Sequence, residues 1–277
     1  MNTLELLVRT HFTLVSTEKG TNLKNVVGYG SGFMMQYKEY RFLVTAAHVN
    51  EPNWSEQAKV KSIMDNDVAI VTHLAQMHEG KMKTVYVPIG GFMYVNSIKV
   101  DVTTKDFETV LQDAEENPIP VDVAVALVEE RPEVFTFSYD KGNEEGSDNL
   151  ETAPKILIPY EAVIEPDHDD HYFVFGRIKF VPKLDAQGNT YVDSEARFHC
   201  DMEFLSTLEN HVLVFKVPEN IVYEDWAGIS GSPILNPEGY IVGIACSVLP
   251  NTHYMYGLDI TQVRPLFDML IHEKKEK

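Results

Sequence analysis

Cysteine is scarce in this chain, with only Cys200 and Cys246 among 277 residues. Two thiols cannot build a disulfide framework, so stability must come from packing. Residues 1–16 carry Glu5, Arg9 and His11 and lack the cationic start and unbroken apolar core of an export signal, so a cytoplasmic setting is expected. Basic residues are also few. Lys and Arg number 23 against 42 Asp and Glu, a formal net charge of −19. Such a field repels phosphate backbones and anionic lipid heads, which excludes nucleic acid and membrane surfaces as expected partners. No run approaches the roughly 20 apolar residues needed to span a bilayer. Gly90-Gly91 is not followed by Lys-Ser/Thr and a helix, so it reads as a hairpin or bulge and not a phosphate cradle. Asp167-His168-Asp169-Asp170-His171 is too contiguous to converge on one ion and has no second ligand group at metal-site spacing. It reads as a solvated turn, and neither metal nor cofactor is expected.

Short apolar runs broken by turn residues dominate instead. Gly30 to Met35 and Arg41 to Val44 flank a turn at Tyr37 to Tyr40 and read as a hairpin. Further strands are expected around Val68–Val71, Thr84–Pro88, Phe92–Val95, Ile98–Val102 and Val121–Val128. Asp106 to Glu116 has helical spacing. The acidic, Gly-containing stretch Ser138 to Lys155 has little to bury and reads as a linker. Strands resume after it, and Asn236-Pro237-Glu238-Gly239 is a strong reverse-turn string. From Thr261 the pattern turns helical, with Val263, Leu266, Phe267 and Leu270 on one face, expected against the second barrel. The fold class expected is all-β: two six-stranded antiparallel barrels and a C-terminal helix. The divisions are residues 1–137, a linker over 138–155, a second barrel over 156–260, and a helix over 261–277.

The chemistry lies in three strings. Gly228-Ile229-Ser230-Gly231-Ser232-Pro233 presents a serine on a turn flanked by glycines, where the Gly228 and Ser230 amides can converge on a developing oxyanion. Ser232, before a proline, must be extended and reads as structural. Phe42-Leu43-Val44-Thr45-Ala46-Ala47-His48 delivers an imidazole at the end of a buried strand. Two acids compete to orient it, each heading an apolar strand: Asp67 and Asp122. Only 19 residues separate His48 from Asp67, too few for two strands of about 5–6 residues with their hairpin once the Glu51–Ser55 loop is allowed for. The 74 residues to Asp122 suffice, so Asp122 is the expected partner and Asp67 a turn-capping acid. The order is then His, Asp, Ser.

These strings, with Gly30-Ser31-Gly32-Phe33 and Gly239 to Ile244, resemble the trypsin/chymotrypsin family of serine peptidases. The likeness is to its bacterial high-temperature-requirement and glutamyl-endopeptidase branches, scattered over about residues 28 to 260. The resemblance implies an endopeptidase acting on protein or peptide substrates, with His48, Asp122 and Ser230 catalytic and the Gly228 and Ser230 amides as oxyanion hole. It also implies a primary pocket near Glu224, Asp225, Ala245, Cys246 and Ser247. Those two acids either decorate the loop or select a basic side chain. Three departures stand out. Ile229 occupies the place of the acid that pairs with a clipped N-terminus, which leaves control to a regulatory protein partner. Ala245-Cys246 follow Gly243-Ile244 where glutamyl-specific members carry a histidine, and no peptide-carrying domain follows the helix. The alternatives are a catalytically silent protease-fold binding module, a partner-activated protease, and an esterase.

Overall fold

Why the chain folds into strands is visible in its hydrophobic pattern: β-branched and aromatic runs punctuated by turn residues. The computed structural model describes residues 3–21, 25–51, 66–74, 83–97, 119–140, 150–184 and 190–276. The expected helix at Asp106–Glu116, the strand at Ile98–Val102 and residues 141–149 of the expected linker lie outside the described residues.

The first half carries helix α1 (Thr3–Thr10) and strands β1 (His11–Glu18), β2 (Val26–Tyr37), β3 (Tyr40–Thr45), β4 (Asn66–Leu74), β5 (Lys83–Ile89), β6 (Phe92–Ser97) and β7 (Ile119–Leu127). A short helical turn, α2 (Ala47–Asn50), follows β3. The strands pair in the order β5-β4-β1-β2-β3-β7-β6, with the short β10 (Ile158–Pro159) added in parallel to β2. A closed six-stranded barrel was expected here. Among the described residues the sheet is open, since β5 and β6 form its two edges. Gly90-Gly91 joins those edges and makes no hairpin: β5 pairs with β4, and β6 with β7. Two residues can bridge only about 11 Å, so the edges meet at that corner and the sheet must curl. Leu14, Met34, Leu43, Ile70 and Val87 fill the space it encloses.

At the start and end of the linker expected over 138–155, Thr136–Asp140 (β8) and Leu150–Pro154 (β9) pair as a separate two-stranded ribbon. The second half is a closed six-stranded barrel, as expected. Its strands are β11 (His171–Leu184), β12 (Thr190–Thr207), β13 (Val212–Lys216), β14 (Pro233–Leu235), β15 (Ile241–Val248) and β16 (Tyr254–Asp259), in the order β11-β12-β13-β16-β15-β14. Tyr172, Phe215, Ile229, Ile234 and Met255 pack its interior.

A third core lies between the two sheets, and the terminal helices cover it by crossing over. Helix α1 sets Leu7 in one cluster with the second barrel's Leu235 and Ile241. Helix α3 (Arg264–Glu276) was expected on the second barrel. Its Phe267 instead stacks on Phe42 of the first sheet at 4.2 Å, and Tyr37 and Lys38 both bond Asp268. Each helix thus fastens the half it does not belong to.

Candidate functional site

His48 and Asp122 meet because of strand register. Antiparallel pairing of β3 with β7 sets Thr45 opposite Ala124, so the residue two earlier on β7, Asp122, projects past the end of β3 where the chain turns into α2. There Asp122 grips His48 twice. Oδ1 accepts the His48 backbone N–H at 3.1 Å, and Oδ2 lies 2.8 Å from ring Nδ1. An ionised carboxylate can only accept, so Nδ1 carries the proton and Nε2 is left with its lone pair. Burial lowers the affinity of His48 for a proton, but the hydrogen bond and charge of Asp122 outweigh it, and the pKa is raised above the ordinary value. Asp67 lies elsewhere: its Oδ2 caps the Gly20 N–H at 2.9 Å in the turn after β1.

Ser230 opens into the same cleft, a space of about 700 Å³ also lined by His48, Asp122, Trp226, Gly228 and Met255. Its Oγ donates to the Cys246 carbonyl at 2.9 Å, and among the described residues no hydrogen bond joins it to His48. The loop around it is pinned peptide by peptide. The Gly228 and Ser230 carbonyls accept from the Ser31 hydroxyl (2.7 Å) and the Ser31 N–H (2.8 Å). The Ile229 carbonyl accepts from Ser232 N–H at 2.9 Å, and Ile229 N–H donates to Trp226 at 3.0 Å. In a trans peptide N–H and C=O point oppositely, so the Ser230 N–H is turned away from Ser232. Among the described residues neither that amide nor the Gly228 amide meets a backbone acceptor. Two unsatisfied donors in a half-buried turn are the requirement for holding an anion.

Glycine is required at two positions of this turn. Gly228 has φ +113, and a Cβ there would run into the Arg177 carbonyl, with the Phe180 ring at 2.7 Å. Gly231 has φ +90, and a Cβ there would strike the Ser31 carbonyl, with Thr45 Oγ1 at 2.5 Å. Ser232 is fully buried and its Oγ donates to the Phe175 carbonyl at 2.6 Å, a packing role.

Of the expected pocket residues, Ala245, Cys246 and Ser247 line the cleft, and exposed Glu224 borders it. Asp225 does not line it. It pairs with Arg197 at 2.8 Å and with Lys179, itself a lining residue of the cleft, at 4.0 Å. Trp226, stacked on His199 with ring centroids 3.7 Å apart, forms the wall instead, with Val248 and Met255. In the Asp167–His171 turn, Asp167 caps Asp169, Asp170 accepts from Asn236, and His168 reaches the Phe204 carbonyl. Cys200 and Cys246 are free. Sequence reading missed the buried partners of the loop, His11 and Ser31; Ser31 looks there like one more small residue at a strand entrance.

No protein-family model and no curated protein matches the chain. Among solved structures it is similar to a serine endoprotease from Yersinia pestis, at 13% identity over 98% of this chain and a TM-score of 0.47. It spans 66% of that protein. It is also similar to the human heparin binding protein, at 13% identity, 94% and 91% coverage and a TM-score of 0.47. A third is the MamO protease domain of Magnetospirillum magneticum, at 12% identity, 95% and 98% coverage and a TM-score of 0.40. At such scores the likeness decides neither ancestry nor chemistry. The strand order and the cleft geometry carry the reading that follows.

Proposed function

We propose that the protein is a serine endopeptidase whose triad is Ser230, His48 and Asp122. The observation that carries this is the His48–Asp122 pair, with its free Nε2 facing the cleft into which Ser230 opens beside two unspent amides. Asp122 holds the imidazole as the Nδ1–H tautomer. A rotation about the Ser230 Cα–Cβ bond takes Oγ from the Cys246 carbonyl toward Nε2, which accepts its proton as Oγ attacks the peptide carbonyl. The Gly228 and Ser230 amides receive the oxyanion. His48 then protonates the leaving amine, and water releases the acyl group by the reverse sequence.

The primary pocket takes an apolar side chain on this reading. Trp226, Met255, Val248 and Ala245 form its wall, while Asp225 spends its charge on Arg197 and Lys179. The Ser230–Cys246 bond favours a second reading, a protease that rests until a protein partner or substrate turns the serine. Incubating the protein and its Ser230→Ala variant with an unstructured protein such as casein tests the proposal. New N-termini that appear with the parent and vanish with the variant support it. Equal cleavage by both, or cleavage by neither under any added partner, removes it.

A further inference from the structure

Ser31 lies fully buried on β2, behind the nucleophile loop, and spends both its donors there. Its N–H holds the Ser230 carbonyl and its hydroxyl the Gly228 carbonyl, while its own carbonyl accepts from Thr45 Oγ1 at 2.7 Å. A hydroxyl has one proton. With that proton on Gly228, the 2.8 Å contact between Ser31 Oγ and His11 Nε2 can only be a bond donated by the imidazole. His11 therefore carries a proton on Nε2, and burial with the nearby Lys155 and Arg177 charges holds its pKa well below the ordinary value, which leaves the ring neutral. The β1–β2 register makes the pair diagonal neighbours on one face, since His11 faces Phe33 and Thr13 faces Ser31. The ring is fixed edge-on against Phe175, with centroids 5.1 Å apart. Its backbone is fixed as well: Lys155 Nζ donates to the His11 and Val8 carbonyls, between the rings of Phe12 and Phe137.

We infer that His11 and Ser31 form a buried strut that sets the plane of the Gly228–Ile229 peptide and thereby aims the Gly228 and Ser230 amides at the oxyanion. They are positioning residues for the hydrolysis proposed above, on which this inference rests. Without the Ser31 hydroxyl the Gly228 carbonyl has no donor on that side, and the peptide plane is held only by the Ile229 N–H bond to the Trp226 carbonyl. Without the His11 donor the Ser31 hydroxyl loses the contact that orients its lone pairs, and its proton is free to leave Gly228.

The test is the pre-steady-state burst with p-nitrophenyl acetate, whose amplitude counts acylable Ser230 and whose rate reports oxyanion stabilisation. Ser31→Ala is expected to slow acylation by about ten- to a hundredfold with full amplitude. His11→Leu should slow it about tenfold, and His11→Gln, which restores an N–H donor at the ε position, should recover to within about threefold of the parent. Thermal midpoints within a few degrees of the parent and unchanged KM separate positioning from general damage. Parent-like bursts from both Ser31→Ala and His11→Leu overturn the strut while leaving the endopeptidase reading intact. Absence of any Ser230-dependent burst in the parent removes both. Imidazole nitrogen NMR of the unaltered protein gives a check that needs no variant. His11 must hold the neutral Nε2–H form across the pH range where activity changes, and an Nδ1–H signal overturns the strut.

Discussion

Replacing Asp122 by Asn puts the whole arrangement under one change of a single atom. Both carboxylate oxygens are in use, Oδ1 on the His48 backbone N–H and Oδ2 on Nδ1. An amide has one oxygen. If it stays on the backbone N–H, the new NH₂ faces Nδ1, and the ring must carry its proton on Nε2 to accept that bond. The lone pair that should receive the Ser230 proton is then gone. If the amide flips, the backbone N–H faces a donor and α2 is disturbed at its first turn. Either outcome removes general-base catalysis, expected to cost about 10⁴-fold in kcat, or about 5 kcal/mol in barrier height. The pH profile gives a second readout. Asp122 holds the His48 pKa above its ordinary 6.5, so the acid limb of parent kcat/KM should lie above that value, with activity gained as the proton leaves. In Asp122→Asn the limb should move to lower pH, because the raising partner is gone and burial alone remains. The assay is hydrolysis of an activated ester or peptide from pH 5 to 9. Parent-like kcat with an unmoved limb would refute the reasoning, and the more so if Asp67→Asn proved inactive.

Gly231→Ala should misplace the nucleophile loop and cost about 1–3 kcal/mol in denaturant unfolding, because φ +90 and the Ser31 carbonyl both oppose a Cβ. Phe267→Ala empties the stack on Phe42 and should destabilise by about 3–5 kcal/mol; a shift in the unfolding midpoint without loss of the ester burst would show that α3 fastens the halves and does not touch the chemistry. Asp225→Asn should leave cleavage-site preference unchanged in a positional-scanning peptide library, since Asp225 does not line the cleft and its carboxylate pairs with Arg197, while Met255→Ala should broaden it. Activity should require no clipping near the N-terminus, because buried Ile229 cannot pair with an amine; an enzyme active only after such cleavage contradicts this.

The residues that converge on the cleft were legible because local rules govern each. A glycine-flanked serine needs positive φ on both sides, and a histidine after an apolar strand emerges where that strand ends. Asp122 was legible by counting, since the spacing had to admit two strands before the chain returned. What the sequence hid depends on tertiary placement. Gly90-Gly91 has hairpin chemistry, yet it joins opposite edges of a curled sheet, and no local signal separates those cases. The apolar face of α3 was visible, but not which half it would cover. Glu224 and Asp225 read alike in sequence, and only Arg197 and Lys179, brought over by β11 and β12, distinguish them. The His11–Ser31 pair spans 20 residues of ordinary strand sequence and becomes a unit only when β1 and β2 register.

The central claim is that Ser230 is a nucleophile activated by His48, and phosphonylation tests it most directly. The protein is exposed to a fluorophosphonate, its intact mass is measured, and the adduct is mapped by peptide sequencing. The account predicts one adduct per chain, on Ser230, lost in His48→Ala as well as Ser230→Ala. An adduct on another serine, or none in a folded preparation supplied with substrate protein, would contradict it.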